Sequence, residues 1–143
     1  MTEIHKSALV PYSPEQMYDL VNDVNAYANF LPWCRSSKVL SQTENVIEAS
    51  LEIAHGALHK TFTTRNTLTG KEQIQMHLLE GPFKKLEGVW RFEALGDEGC
   101  KVMLDLSFEF SNRIMSITLG PVFSAIANSL VDAFTQEAVK KYG

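Results

Sequence analysis

Residues 112–142 read NRIMSITLGPVFSAIANSLVDAFTQEAVKKY, and this stretch decides the fold. Its apolar side chains recur at steps of three and four residues, which is the period of one buried helix face. Polar side chains return between them, so the pattern predicts an amphipathic helix and not a membrane span. The apolar positions are Leu119, Val122, Phe123, Ile126, Ala127, Leu130, Val131, Phe134 and Ala138.

Gly120 and Pro121 interrupt this helical pattern. Because proline lacks a backbone donor and clashes with the preceding turn, we expect a short helix over 113–119 that breaks or kinks into a long one over 121–141. Two interpretations stay open. The break is either the hinge of a lid formed by 113–119, or a kink that only fits the helix to a curved sheet.

Length and composition indicate one globular domain that spans residues 1–143, with 45% hydrophobic and 21% charged residues. The net charge of -4 gives no global attraction to nucleic acid, so contact with RNA would need a local basic patch. Neither a signal peptide nor a run of eighteen apolar residues is present, which predicts a soluble cytoplasmic protein. Cys34 and Cys100 lack metal-ligand spacing and are expected to be reduced thiols.

The N-terminal part predicts a strand followed by two short helices. Residues 4–10 form the strand-like run, which Pro11 ends. Ser13, Pro14 and Gln16 then have the spacing of a capping box with proline at the first helical position. A second short helix follows almost without a linker and must end before Pro32.

From Lys38 onward the apolar period changes to two, which is typical of half-buried antiparallel strands. Gly88 lies within one of these strands and suggests a bulge or a sharp bend. The predicted strands cover 47–53, 58–68, 73–80, 84–95 and 102–110, with turns at His55-Gly56, Thr69-Gly70-Lys71, Gly81-Pro82 and 96–99.

A curved sheet with one apolar face and a terminal helix with one apolar stripe can bury both only by packing on each other. We therefore expect an α+β helix-grip fold. In it a curved antiparallel sheet of about seven strands wraps round a long C-terminal helix, with two short helices after the first strand.

This order of elements, with particular stretches of sequence, resembles the START-like superfamily of helix-grip proteins, which includes polyketide cyclases and lipid-transfer domains. Within that superfamily the chain is similar to the coenzyme Q-binding branch, whose bacterial members include RatA-type ribosome-association toxins. The resemblance covers essentially the whole chain and implies a cavity for a hydrophobic ligand and non-enzymatic roles. It is carried by YSPEQMYDLV at 12–21, FLPWC at 30–34, LEGVWRF at 86–92 and VMLDLSFEF at 102–110.

If such a cavity exists, the inward-facing positions of each strand and of the helix should line it. Bulky groups at Phe30, Trp33 and Phe83 could form the lips of its mouth, or they could simply close the open end of the core. The expected lining residues are Leu51, Phe62, Met76, Leu78, Trp90, Leu104 and Leu106 from the sheet and Val122, Phe123, Ile126 and Leu130 from the helix.

Four basic residues follow the two lips in sequence. Arg35 and Lys38 follow Trp33, and Lys84 and Lys85 follow Phe83. They are either ordinary surface charges or a basic rim that would meet anionic lipid headgroups or ribosomal RNA phosphates.

Three functions compete at this point. The first is a non-enzymatic protein that binds a hydrophobic small molecule, namely ubiquinone, another polyprenyl quinone or a lipid, and that can contact the inner face of a membrane. The second, implied by the resemblance, is a toxin that binds the large ribosomal subunit and blocks subunit association. The third is a cyclase or hydrolase, which the absence of a paired acid and base disfavours.

Metal binding and DNA binding are not expected. His55 and His59 are four residues apart, but a glycine turn lies between them, so they do not share a helix face as paired metal ligands would. No nucleophile elbow or phosphate-binding glycine loop occurs in the sequence.

Overall fold

The computed structural model describes residues 2–55 and 58–143, and it contains seven strands, two α-helices and one 3₁₀ helix. The turn predicted at His55-Gly56 lies partly outside the described residues. The elements are β1 (Thr2–Val10), α1 (Pro14–Asn22), the 3₁₀ helix (Val24–Asn29), β2 (Cys34–Gln42), β3 (Val46–His55), β4 (Leu58–Thr69), β5 (Gln73–Glu80), β6 (Phe83–Leu95), β7 (Gly99–Phe110) and α2 (Arg113–Tyr142).

All seven strands form one antiparallel sheet in the order β1-β7-β6-β5-β4-β3-β2. Side chains alternate along β7, where every second residue from Cys100 to Phe110 is buried. This alternation gives the sheet one apolar inner face, on which α2 packs next to β1 and β7. The predicted helix-grip fold is therefore confirmed.

Helix α1 begins with the capping box that the sequence predicts. The backbone N–H of Gln16 donates to Ser13 Oγ at 3.1 Å, and the backbone N–H of Ser13 donates to Gln16 Oε1 at 2.9 Å. Two of the donors that a helix leaves unpaired at its start are thereby satisfied. The second predicted helix is a 3₁₀ helix, and Asp23 makes no side-chain cap there.

The predicted break at Gly120-Pro121 is wrong as an interruption, since α2 runs continuously from Arg113 to Tyr142 with Pro121 inside it. A proline disfavours a helical residue before it because its ring meets that residue's Cβ, and Gly120 has no Cβ. Pro121 also leaves the carbonyl of Ile117 without its helical donor, and the 66% exposure of Ile117 lets water reach that turn.

The bulge predicted at Gly88 is also wrong. Gly88 pairs in regular register with Met76 on β5 and with Leu106 on β7, and the irregularity of β6 lies between Phe83 and Lys85. A Cβ at position 88 would lie 2.6 Å from Met76 Cε and 2.9 Å from Leu106 Cδ1, so a larger residue there must displace the ends of these two side chains.

The apolar stripe of α2 is buried only beyond its first two turns. Phe123, Ile126, Ala127, Val131, Phe134 and Ala138 are buried, while Ile114 and Ile117 are exposed. The helix is long and apolar enough to cross a membrane by length and composition alone. A core helix of a water-soluble protein meets the same criterion, and the buried face of α2 packs on the sheet.

Two glycines predict unequal effects of alanine substitution. At Gly99 a Cβ would lie 2.2 Å from the backbone oxygen of Val10, so Gly99→Ala should lower the free energy of unfolding by about 2 kcal/mol or more. At Gly120 the nearest atom outside the chain neighbours is Phe110 Cε2 at 4.0 Å. The higher helix propensity of alanine and the contact of its Cβ with the Pro121 ring oppose each other there, so Gly120→Ala should change the free energy of unfolding by less than about 1 kcal/mol. Denaturant unfolding of both variants checks this prediction, and equal losses of stability would contradict it.

A pH-dependent contact joins β1 to β7. His5 Nδ1 lies 2.6 Å from Asp105 Oδ1, and this hydrogen bond raises the pKa of His5. A raised pKa stabilises the fold fully below the ordinary value of about 6.5, and the contribution is lost as pH rises through the higher folded-state pKa. His5→Gln should therefore be more destabilising at about pH 5.5 than at about pH 8.5, as measured by urea unfolding at both values. A loss of unfolding free energy that is equal at both pH values would contradict this prediction.

Candidate functional site

An almost wholly apolar cavity of about 80 Å³ lies between the inner face of the sheet and α2. The helix contributes five of its walls, and the remaining walls come from the sheet and from the segment around the 3₁₀ helix. The lining residues are Val24, Tyr27, Trp33, Ala49, Leu51, Phe62, Thr64, Asn66, Met76, Leu86, Trp90, Leu106, Phe123, Ile126, Ala127, Leu130 and Phe134.

Two aromatic clusters on α2 flank this cavity. Phe123 contacts Phe83 and Phe108, with ring centroids 5.0 and 4.7 Å apart. Phe134 contacts Tyr27, Phe30 and Trp90 at 5.4, 5.5 and 5.4 Å. Between the two clusters the helix lines the cavity with aliphatic side chains alone, Ile126, Ala127 and Leu130, and the space that they leave is the cavity.

The structure brings nine of the fourteen predicted ligand residues together at this cavity. Their role in binding stays a prediction. The nine are Trp33, Leu51, Phe62, Met76, Trp90, Leu106, Phe123, Ile126 and Leu130.

The other five predicted residues lie elsewhere. Leu104 is completely buried in the core, and Phe83 stacks on Phe110 in the first aromatic cluster. Phe30 packs on Phe134, outside the cavity walls. Leu78 and Val122 are half-buried against the core.

The two predicted lips are mostly closed. Leu31, Trp33 and Phe83 are buried, so the FLPWC segment and the Phe83 turn cover the core instead of opening it. The lid that the sequence suggests over 113–119 is likewise not a separate segment, since these residues are continuous with the rest of α2.

Two polar residues that line the cavity, Thr64 and Asn66, are not among those expected from the sequence. Both lie on the inner face of β4, and each is only 8% exposed. The Thr64 hydroxyl donates to Asn66 Oδ1 at 3.0 Å. The sequence contains a signal for them, because Phe62, Thr64, Asn66 and Leu68 are spaced two residues apart and so share one face of the strand. Since Phe62 is expected to face the cavity, Thr64 and Asn66 should face it too.

Titratable chemistry is sparse at the cavity. Among the described walls Tyr27 is the one titratable side chain; its hydroxyl donates to the Val21 carbonyl, and burial, with a smaller effect of Asp23, raises its pKa. Cys34 and Cys100 are free and buried, and burial raises the pKa of both thiols. Within residues 2–55 and 58–143, no three metal-ligating side chains converge.

The predicted basic residues divide into two pairs, because β3, β4 and β5 separate β2 from β6 in the sheet. Arg35 lies 4.0 Å from Glu52, and Lys85 lies 3.7 Å from Glu87. Lys38 and Lys84 make no ion pair with any described residue.

The cavity is small for a quinone. An engineered cavity of about 150 Å³ holds one benzene, and typical ligand pockets measure roughly 300–1,000 Å³. At about 80 Å³ the space admits no polyprenyl chain unless side chains or α2 move.

Comparison with known proteins identifies the family. The model of the family described as "Polyketide cyclase / dehydrase and lipid transport" matches residues 10–135. The chain belongs to this family. Its fold agrees, since an aromatase/cyclase from Streptomyces sp. R1128 superposes with a TM-score of 0.86 over 99% of this chain and 96% of that chain at 18% identity.

Two relatives within the family carry different names. A protein of Pseudomonas aeruginosa PAO1 named Ribosome association toxin RatA is 49% identical over 99% of both chains. A Xenopus laevis protein named Coenzyme Q-binding protein COQ10 homolog B, mitochondrial, is 34% identical over 99% of this chain and 59% of its own length. The ranking from sequence, which put quinone binding first, is therefore reversed, since the stronger similarity is to the ribosome-association protein.

Proposed function

We propose that this cytoplasmic protein associates with the ribosome, by binding the large subunit and hindering its union with the small one. The observation that carries this proposal is the 49% identity over the full length to a protein named for ribosome association. The third function considered, an enzyme, loses support because no acid and base face each other across the described cavity walls.

A basic end of the sheet supports the proposal. Antiparallel pairing places the starts of β2, β4 and β6 at the end where β7 stops and α2 begins, because Cys34 pairs with Ile53, Ile53 with Lys60, and Phe83 with Phe110. We call this end the basic rim; its cations are Arg35, Lys60, Lys84, Lys85 and Arg113. It differs from the rim expected from the sequence, because Lys38 pairs with Ser50 midway along β2 and lies away from this end.

The basic rim also carries carboxylates. Glu3, Glu52, Glu80 and Glu109 lie near the same strand ends, and two of the cations are already paired, Arg35 with Glu52 at 4.0 Å and Lys85 with Glu87 at 3.7 Å. Lys60, Lys84 and Arg113 make no ion pair with any described residue. Helix α2 joins this surface through Leu119, which shares a small crevice with Lys60 and Pro82. The three unpaired cations are the groups of the basic rim that suit ribosomal RNA phosphates.

Charge reversal at the basic rim tests this function. In the triple variant Lys60→Glu, Lys84→Glu, Arg113→Glu, binding to purified large subunits should fall roughly tenfold or more, because three phosphate contacts are lost. Sucrose-gradient sedimentation measures both the binding and the fraction of assembled ribosomes.

A charge-matched control is the triple variant Lys101→Glu, Lys140→Glu, Lys141→Glu, which changes the same number of cations away from the basic rim. It should bind as the unmodified protein does. An equal loss of binding to the large subunit in both triple variants would show that the contact does not depend on the basic rim. Ribosome profiles that stay unchanged with the unmodified protein in excess would refute the function itself.

A second function is favoured by the cavity. We infer that the protein also holds a hydrophobic small molecule between the sheet and α2, a quinone or a lipid, as the name of the Xenopus relative suggests by analogy. The apolar walls supply the affinity, since each buried CH₂ contributes about 0.8 kcal/mol. The small volume requires that flexible walls such as Met76 move when the ligand enters.

Gly88→Ala tests the second function. Its Cβ would push Met76 and Leu106, both cavity walls, into the space where a ligand must fit. The variant should fold and should retain several-fold less quinone or lipid after purification, as measured by organic extraction and mass spectrometry. Gly120→Ala serves as the control, and finding no quinone or lipid in either the unmodified protein or a loading experiment would remove this function.

A further inference from the structure

The inner face of β4 places a polar pair in an otherwise apolar cavity. Thr64 and Asn66 are the two buried polar residues among those that the structure describes, and each is more than nine-tenths buried. Both line the cavity, in the same row as Phe62. An amide held away from water is unfavourable unless its hydrogen-bonding groups find partners.

One side of the Asn66 amide is already occupied. The Thr64 hydroxyl donates to Oδ1 at 3.0 Å, and this bond orients the amide so that its Nδ2 turns away from Thr64. The side-chain hydrogen bonds of the described residues include none from Nδ2, and Nδ2 is not among the fully enclosed polar atoms that lack a partner, so it borders accessible space. The amide therefore presents two N–H donors beside the cavity and keeps its acceptor for Thr64.

Two indoles add further donors to the cavity. Trp33 and Trp90 line it, and an indole N–H only donates. The Tyr27 hydroxyl donates to the Val21 carbonyl. The hydroxyl oxygens of Thr64 and Tyr27 can still accept, so the Asn66 amide and the two indoles are the groups that need an acceptor on the ligand.

We propose that the cavity recognises a carbonyl oxygen of its ligand through the Asn66 amide, which Thr64 holds in the donating orientation. This inference rests on the second proposed function and narrows its ligand class to ketones, quinones and esters. Pure hydrocarbons and molecules that only donate are disfavoured, because they would leave Nδ2 unpaired or place two donors against each other.

Three small probes separate these classes. Acetophenone carries one acceptor, ethylbenzene has a similar shape with no polar group, and indole only donates. Titrations followed by NMR at millimolar concentration should show that acetophenone binds roughly three- to tenfold more tightly than ethylbenzene or indole, which is the effect of one net hydrogen bond.

Two variants assign the selectivity to its residues. Asn66→Leu keeps the number and branching of the side-chain heavy atoms and should abolish the preference for acetophenone while ethylbenzene still binds. Thr64→Val should free the amide to turn, so the preference for acetophenone over indole should shrink although Asn66 is present. Thr67→Val is the matched control, since Thr67 lies on the same strand with its side chain on the opposite face.

The outcomes distinguish this inference from the function on which it rests. Equal binding of all three probes, or selectivity that survives both Asn66→Leu and Thr64→Val, would overturn the role of Asn66 and leave the cavity as a hydrocarbon site. Binding of none of the probes to the folded protein would overturn the ligand-binding function and this inference together.

Discussion

The structure depends on one helix filling the inner face of a seven-stranded sheet. Helix α2 does this with two aromatic anchors, Phe123 and Phe134, which lie three turns apart, about 16 Å along the axis. Phe123 contacts aromatic rings from β4, β6 and β7, and Phe134 contacts Tyr27, Phe30 and Trp90. Because both anchors belong to one rigid element, any change that opens one end of the core must tilt or shift the whole helix.

The cavity follows from the spacing of these anchors. Ile126, Ala127 and Leu130 are too small to reach the sheet where the aromatic rings do not, and the inner face opposite them carries Thr64, Asn66 and the glycine at position 88. Packing thus leaves a space in the middle of the core and not at its edge. A ligand can reach that space only if an anchor or a flexible wall gives way, which explains how a buried lining and a small resting volume are compatible with binding.

Much of this was predictable from periodicity. The period of two in β3 and β7 and the period near 3.6 in α2 assign each side chain to a face, and eight of the eleven residues expected to line the cavity do meet there. Periodicity assigns a side chain to one face of a strand but does not give its position along the strand relative to the cavity. It therefore does not distinguish Leu104, which is completely buried in the core, from Leu106, which lines the cavity. It also fails where a local rule meets an exception, since Pro121 follows the one residue type that tolerates a helical conformation before proline.

The balance between the two functions follows from the energy needed to enlarge the cavity. Displacing an anchor such as Phe134 forfeits contacts whose removal by truncation to alanine costs about 3–5 kcal/mol in typical cores. Burial of one isoprene unit of five carbons contributes about 4 kcal/mol, which only offsets the free energy needed to displace the anchor. A tail of two or three units is therefore needed for net affinity. A ligand that consists of a single ring and enters by displacing Met76 alone avoids this cost but buries little apolar surface. The proposed hydrogen bond from Asn66 would then supply a large share of that ligand's affinity.

Contacts at the basic rim involve no such rearrangement, because those cations lie on the surface whether the cavity is filled or not. The proposed contact with the ribosome therefore requires no ligand, whereas the proposed ligand binding requires the core to move.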